Sequence, residues 1–244
     1  ISTTPADCRR AVVEFILSEH PPAINQERAR HFERIRRRLE RLAGMPVRHR
    51  RYTDLGDLDG AAAVVLSGSF APWSDHDSAA LGRLGEAVTR YRGPVLGICA
   101  GMQLLTLFAG GAIGPRERPE VGFGPIDILD DRDLLSGLAP RAVAYKHHAE
   151  DVIALPDGFD VLARSEHCAV EAIAGRDRCW WGTQFHPERF SARYPAGVRV
   201  LRNFFALATS LPTLDNSQRM GLQSAPDLSP GGGSAGTRPA ATRL

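Results

Sequence analysis

Cys99 stands between two glycines, in Gly97-Ile98-Cys99-Ala100-Gly101, where the apolar run Pro94 to Ile98 gives way to a helical pattern beginning at Ala100. A cysteine in G-x-C-x-G at a strand-to-helix turn is the thiol counterpart of the serine nucleophile elbow, whose glycines are needed because side chains would clash across the tight turn. Such a turn projects the sulfur outward. It also sets the sulfur at a helix N-terminus, where partial positive charge favours an anion. The chemistry predicted is attack of a thiolate on a carbonyl carbon. A lone cysteine is more often a small buried core residue, and that is the expectation for Cys8, Cys168 and Cys179.

A cysteine nucleophile needs a base, and the base needs an orienting group. Both occur in Gln184-Phe185-His186-Pro187-Glu188, which ends the run that starts at Trp180. Pro187 stops the backbone from continuing as a helix, so His186 and Glu188 are predicted on one loop at the carboxyl end of a strand, where α/β folds bind ligands. His186 is then the acid–base group and Glu188 the residue that fixes the imidazole. Charge developing on the carbonyl oxygen requires amide donors, and the N–H of Ala100, next after the nucleophile, is placed to be one. Gln103, four residues beyond Cys99, shares the active end of the same helix. A third segment, Tyr145-Lys146-His147-His148-Ala149-Glu150, ends a candidate strand. Its adjacent histidines alternate across the strand faces, so no metal site is predicted, and no cofactor is expected.

The elements that must carry these groups follow from periodicity. Val12 to Leu17 reads as a buried strand, and Phe32, Ile35, Leu39 and Leu42 form one apolar stripe of a helix closed by Gly44 and Pro46. Val47 to Tyr52 and Ala61 to Leu66 read as strands, Asp77 to Tyr91 as a helix, Pro94 to Ile98 as a strand and Ala100 to Ala109 as a helix. Alternation of this kind predicts an α/β fold with a mostly parallel central sheet and helices on both faces. From Val121 the pattern becomes strand-rich, with candidates at 126–129, 142–145, 161–164, 169–174 and 180–185, before a last helix at 197–209. Residues 1–210 are read as one domain. Residues 211–244 hold five Gly, four Pro and four Ser with no aromatic, too little apolar surface to offset ordering entropy, and read as a flexible tail.

Composition excludes other classes. With 43% hydrophobic and 24% charged residues in 244, the chain is neither disordered nor coiled-coil overall. The run Ala11 to Leu17 carries Glu14 and falls far short of the roughly 20 apolar residues of a membrane span; no membrane association and no secretory signal are expected. Four cysteines without a C-x-x-C pair predict a reducing, cytoplasmic setting. Net charge is +2, yet Glu27 to Arg51 has ten arginines against three glutamates, a local +7. Without interleaved aromatics or a groove-reading motif this stripe does not predict nucleic-acid binding.

The pair GICAGMQ and QFHPE, with Leu-Ser-Gly-Ser before them and a histidine-bearing strand between, resembles the class I glutamine amidotransferases over about residues 11–209. The resemblance implies a Cys99–His186–Glu188 triad that hydrolyses the side-chain amide of glutamine through a thioester. It implies a second oxyanion amide at Ser69, in the turn after the Ala61 to Leu66 strand, and contacts to glutamine from Gly68, Gln103, His148 and Ala149. Where the family usually reads Ser-Gly-Gly-Pro, this chain has Ser67-Gly68-Ser69-Phe70; a serine forced to φ > 0 there would be strained by about 1 kcal/mol. Nothing in the sequence resembles a synthetase, so a synthetase or acceptor enzyme acting in trans is the expected partner for the ammonia. A γ-glutamyl hydrolase of the same fold and a catalytically silent regulatory module are the alternatives.

Overall fold

A computed structural model describes residues 12–210; Cys8 and the proposed tail at 211–244 lie outside the described residues. Strands β1 (Val12–Leu17), β2 (Val47–Arg51), β3 (Ala61–Leu66), β4 (Val95–Ile98), β5 (Ala112–Ile128), β6 (Arg141–Ala154), β7 (Phe159–Arg164), β8 (Ala172–Gly175) and β9 (Trp180–Thr183) make one sheet. Its order is β2-β1-β3-β4-β9-β8-β7-β5-β6. Helices α1 (Gln26–Ala43), α2 (Ser78–Arg90), α3 (Ala100–Phe108) and α4 (Ala196–Ser210) cover it.

Period-two alternation decides which helix covers which face. Val13, Phe15, Ala63, Val65, Leu96 and Trp181 point into a core completed by Phe32, Ile35 and Leu39 of α1 and Val200, Leu201, Phe204 and Phe205 of α4. Their chain neighbours Ile16, Val64, Leu66, Val95 and Trp180 point the other way, against Leu81, Leu84 and Val88 of α2 and Met102, Leu104 and Leu105 of α3. Two helices on each face leave strands β1, β3, β4 and β9 covered on both sides, with β2 at the edge. Local chemistry sets the helix ends: the Asn25 side chain accepts the Arg28 amide at the start of α1, and Gly44 takes φ +66° at its end, a cap of the kind worth about 1 kcal/mol at the N-terminus.

The expectation of a mostly parallel sheet is met in part. Strands β2, β1, β3, β4 and β9 are parallel, but β9 to β8, β8 to β7, β7 to β5 and β5 to β6 are all antiparallel. The reason is connection length: a parallel return needs a crossover of about a dozen residues or more, usually a helix, and no α-helix lies between Phe108 and Ala196. Two strands are also longer than their sequence signals. β5 begins at Ala112 although Gly114, Pro115, Gly122, Gly124 and Pro125 interrupt its pattern. Over most of its length it pairs with β6 alone, meeting β7 only at Asp127 and Ile128, and such one-sided pairing tolerates proline and bulges.

The long β5–β6 hairpin matters to the site because it folds back over the carboxyl ends of the parallel strands. The Tyr145 carbonyl of β6 accepts the His186 amide at 2.7 Å. Behind it, Lys146 is 1% exposed and its ammonium sits 2.7 Å from Glu171 and 2.9 Å from Glu120, tying the hairpin to the segment before β8. Burial pushes the Lys146 pKa down, and the two carboxylates more than offset this, holding it above its ordinary value.

Candidate active site

Cys99 ends β4 and caps α3 with φ +52° and ψ −109°. A non-glycine residue there is strained, and the surrounding backbone fixes it. A Cβ on Gly97 would lie 2.5 Å from the Gly101 carbonyl, and one on Gly101 would lie 2.5 Å from the Leu66 carbonyl; both glycines are demanded by close backbone approach. The Cys99 amide donates to the Thr183 carbonyl at 2.7 Å, fastening the elbow to β9. The Cys99 side chain caps none of the first-turn amides of α3, which leaves the Ala100 N–H beside the sulfur.

His186 and Glu188 leave the end of β9 on a single turn. The His186 Nδ1 is 2.8 Å from Glu188 Oε1, and Nε2 faces the His147 carbonyl at 3.3 Å. Cys99 Sγ lies 3.6 Å from the same carbonyl. Burial works against the imidazolium, but the charges of Glu188 and Cys99 win and hold the His186 pKa well above its ordinary value. Burial also pushes Glu188 up, and His186 opposite it brings the carboxyl below its usual range. Both directions describe a buried ion pair aimed at the sulfur. Gly68 completes the wall: a Cβ there would be 3.0 Å from His186 Cε1 and 3.5 Å from the Cys99 Cβ.

Other expected site residues fall in two groups. Gln103 is buried, and its side-chain amide donates to the Glu150 carbonyl at 2.8 Å and to Gln184 Oε1 at 3.3 Å. The amide of Gln184 reaches Cys99 Sγ at 3.6 Å, so a glutamine pair links helix, loop and the Cys99 thiol. Gln184 escaped the sequence reading, though its signal was present: two residues before His186 at the end of a strand, it shares that residue's side. The His148 ring, by contrast, is turned away, 3.0 Å from the Arg116 guanidinium and 3.3 Å from Asp151. It is the backbone of the neighbouring His147 that faces Cys99. Ala149 is exposed on the segment whose next carbonyl holds Gln103. Ser69 is not among the described residues with positive φ, so its replacement of glycine carries no left-handed strain; in this chain that strain sits on Cys99.

His148, Asp151 and Cys168 bring potential ligand atoms within 4.8 Å of one another. The Arg116 guanidinium already occupies the cluster, with Nη1 at 2.8 and 2.9 Å from the two Asp151 oxygens. Burial pushes the Cys168 thiol far up and keeps it protonated. Among the described residues no helix is long and apolar enough to cross a membrane. Behind the His186–Glu188 pair, His31, Arg34 and Arg38 of α1 line a cleft of about 290 Å³ shared with Tyr145 and Arg189. Arg38 donates to the Glu188 carbonyl at 2.5 Å, so α1 supports the turn that carries the pair.

A cysteine elbow at the switch from strand to helix, a buried His–Glu pair beside it and a mixed sheet between paired helices define an amidotransferase-type hydrolase. The sequence model of the family "Glutamine amidotransferase class-I" matches residues 31–208, and the chain belongs to that family. It is 32% identical over 157 residues to the glutamine-hydrolyzing GMP synthase subunit of Thermoplasma acidophilum, covering 64% of this chain and 77% of that protein. The corresponding subunit of Sulfurisphaera tokodaii is 39% identical over 127 residues, 51% of this chain and 66% of that one. A GMP synthase of Bacillus licheniformis is 38% identical over 141 residues, and the match covers only 26% of its length. A solved structure of a GMP synthase subunit from Thermoplasma acidophilum superposes with a TM-score of 0.68 at 27% identity, over 81% of this chain and 94% of that one.

Proposed function

We propose that this chain is the glutamine-hydrolysing subunit of an amidotransferase, with Cys99, His186 and Glu188 as its triad, supplying ammonia to a separate synthetase. The observation that carries it is the convergence of Cys99, the His186–Glu188 pair and the His147 carbonyl on one point at the carboxyl ends of β4 and β9. Relatives named as glutamine-hydrolyzing subunits of GMP synthase support a partner in trans, and the cytoplasm suits a thiolate enzyme.

The steps follow from the geometry. The Cys99 thiolate adds to the amide carbon of glutamine, and negative charge moves to the former carbonyl oxygen, met by the amides of Ala100 and of the 68–69 turn. His186, as imidazolium, gives its Nε2 proton to the departing nitrogen, and ammonia leaves with the thioester formed. His186 then takes a proton from water, which attacks the thioester; glutamate leaves and Cys99 is restored. Glu188 holds the imidazole in register throughout. Gln103, Gln184, Ala149 and the backbone of His147 and His148 form the wall against which the glutamine lies.

Gly68→Ala is a sharp test of this packing. Its methyl would lie 3.0 Å from His186 Cε1 and displace the imidazole by a few tenths of an ångström; since a misplacement of about 1 Å can cost about 10²-fold in rate, this shift should cost several-fold. Steady-state glutamine hydrolysis should fall accordingly with little change in thermal midpoint. A variant as active as wild type would show that the turn has room to move.

The basic helix supplies a second test, of partner association. Arg37 is held by Glu33 at 2.8 Å, whereas Arg34 and Arg41 are exposed with no carboxylate partner among the described residues. Charge reversal at Arg34 and Arg41 is expected to slow binding of the synthetase without changing basal hydrolysis, with the difference shrinking as salt shortens the Debye length. Salt-independent association would remove the helix from the interface.

A further inference from the structure

The end of β1 carries a carboxylate that the triad chemistry does not use. Glu19 is 0% exposed, yet it is not a core residue in search of a partner. Its Oε2 accepts the Phe70 amide at 2.9 Å, and its Oε1 accepts the Ser69 hydroxyl at 3.0 Å, the Ala71 amide at 3.1 Å and the His20 amide at 3.1 Å. Three of the four donors belong to the turn after β3. Strands β1 and β3 are parallel neighbours, with Ile16 opposite Leu66, so their carboxyl ends emerge side by side. They interlock there: the Ser18 amide donates to Ser67 Oγ at 2.9 Å, the Ser67 hydroxyl donates to the Gly68 carbonyl at 2.7 Å, and the Ser67 amide donates to the Ile16 carbonyl at 2.9 Å.

These bonds sort the amides of the turn. Ser67 is committed to β1, and Phe70 and Ala71 are committed to Glu19. The amides of Gly68 and Ser69 have no acceptor among the described residues, and Gly68 is the residue packed against Cys99 and His186. We propose that Glu19 is the positioning residue of the oxyanion turn: by taking the amides of Phe70 and Ala71 it fixes the peptide planes so that the Gly68–Ser69 pair is left as the donor facing the reacting carbon. The proposal rests on the amidotransferase reading above and names which residue sets its second oxyanion donor. A carboxylate suits the task because it offers acceptors only. It also accounts for a turn that lacks the glycine and proline of the family pattern: the rigidity comes from the carboxylate and not from the turn's own residues. Arg28 lies 3.9 Å from Glu19 and stacks 5.1 Å from the centre of the 41% exposed Phe70 ring, which makes this turn part of the outer rim of the site.

The test uses the full chain and Glu19→Gln. A glutamine there presents an NH2 donor to one of the backbone amides, so the turn must shift although size and packing are kept. Losing one oxyanion donor lowers kcat by about 10²- to 10³-fold, and the basal glutamine kcat of Glu19→Gln should fall by ~10²-fold with KM little changed. Alkylation of Cys99 by iodoacetamide needs the thiolate but no oxyanion donor, so its rate and pH profile should superimpose on wild type. Ser69→Ala, which loses the hydroxyl's bonds to Glu19 and to the Ala71 amide but leaves the amides of Phe70 and Ala71 on Glu19, should lose less than tenfold, about what one side-chain hydrogen bond contributes. If Glu19→Gln does not fold, Glu19→Asp, which keeps the charge but falls short of the turn, should show the same split. Wild-type kcat in whichever of the two folds overturns the proposal, as does a loss of kcat matched by an equal loss of alkylation. A wild-type chain that neither hydrolyses glutamine nor is labelled at Cys99 by a glutamine analogue overturns the functional reading itself, a result distinguishable from failure at Glu19 alone.

Discussion

Cys99→Ala should leave a folded chain whose glutamine hydrolysis is lower by about 10⁴-fold or more, the usual cost of removing the nucleophile from a unit that acts together. Folding should survive because the constraint at the elbow lies in the backbone: Gly97 against Gly101, Gly101 against Leu66, and the Cys99 amide on the Thr183 carbonyl. None of these uses the sulfur. The companion measurement is covalent: 6-diazo-5-oxo-norleucine, an electrophilic glutamine analogue, should modify one cysteine, in the peptide containing Cys99. The competing thiols are poor candidates on physical grounds, since burial raises the pKa of both Cys168 and Cys179 and thiolate, not thiol, is the nucleophile. Label on either of them would overturn the assignment.

The second large effect concerns the pair behind the nucleophile, and it should be graded. His186→Ala removes the proton carrier of both half-reactions and is expected to cost on the order of 10⁶ in kcat, whereas Glu188→Gln removes only the orienter and should cost on the order of 10⁴. Stability separates them further. The raised pKa of His186 contributes stability that is fully present below its unfolded value near 6.5 and is lost as pH rises through the folded value. The lowered pKa of Glu188 contributes stability present above its unfolded value near 4.5 and lost as pH falls through the folded one. Their attraction therefore counts most between those unfolded values. The drop in thermal midpoint caused by Glu188→Gln should be largest near pH 6 and should shrink as pH is raised. A drop that grows with pH, or equal rates in the two variants, would show that Glu188 does more than hold the ring.

Much of the site was legible because local backbone demands leave marks on residue type. Glycine on both sides of Cys99 and proline between His186 and Glu188 announce the two turns, and the stripe of α1 and the alternation of β3 follow from burial of one face at a time. The contributions of Glu19 and the His147 carbonyl were not legible. A carboxylate that acts on a turn fifty residues away has no local signature, and a carbonyl belongs to every residue alike. The extent of β5 was underestimated for a related reason: a proline- and glycine-broken run such as Ala112 to Pro125 looks like loop until the partner strand that needs only one of its edges is known. Ser69 departs from the family pattern without strain because conformation there is set by Glu19, a residue the pattern does not include.

Lys146, locked between Glu120 and Glu171, is the only lysine in the sequence. Every other fixed positive side chain is an arginine, and a guanidinium keeps its proton at any pH a cell experiences. The folded surface thus offers no lysine ammonium to acylating reagents or to acetylation, and its cationic pattern along α1 cannot be graded by either. Chemical access to that one amine requires the hairpin of β5 and β6 to lift from the segment before β8, so the rate at which it reacts is a direct clock for opening of the antiparallel half of the sheet.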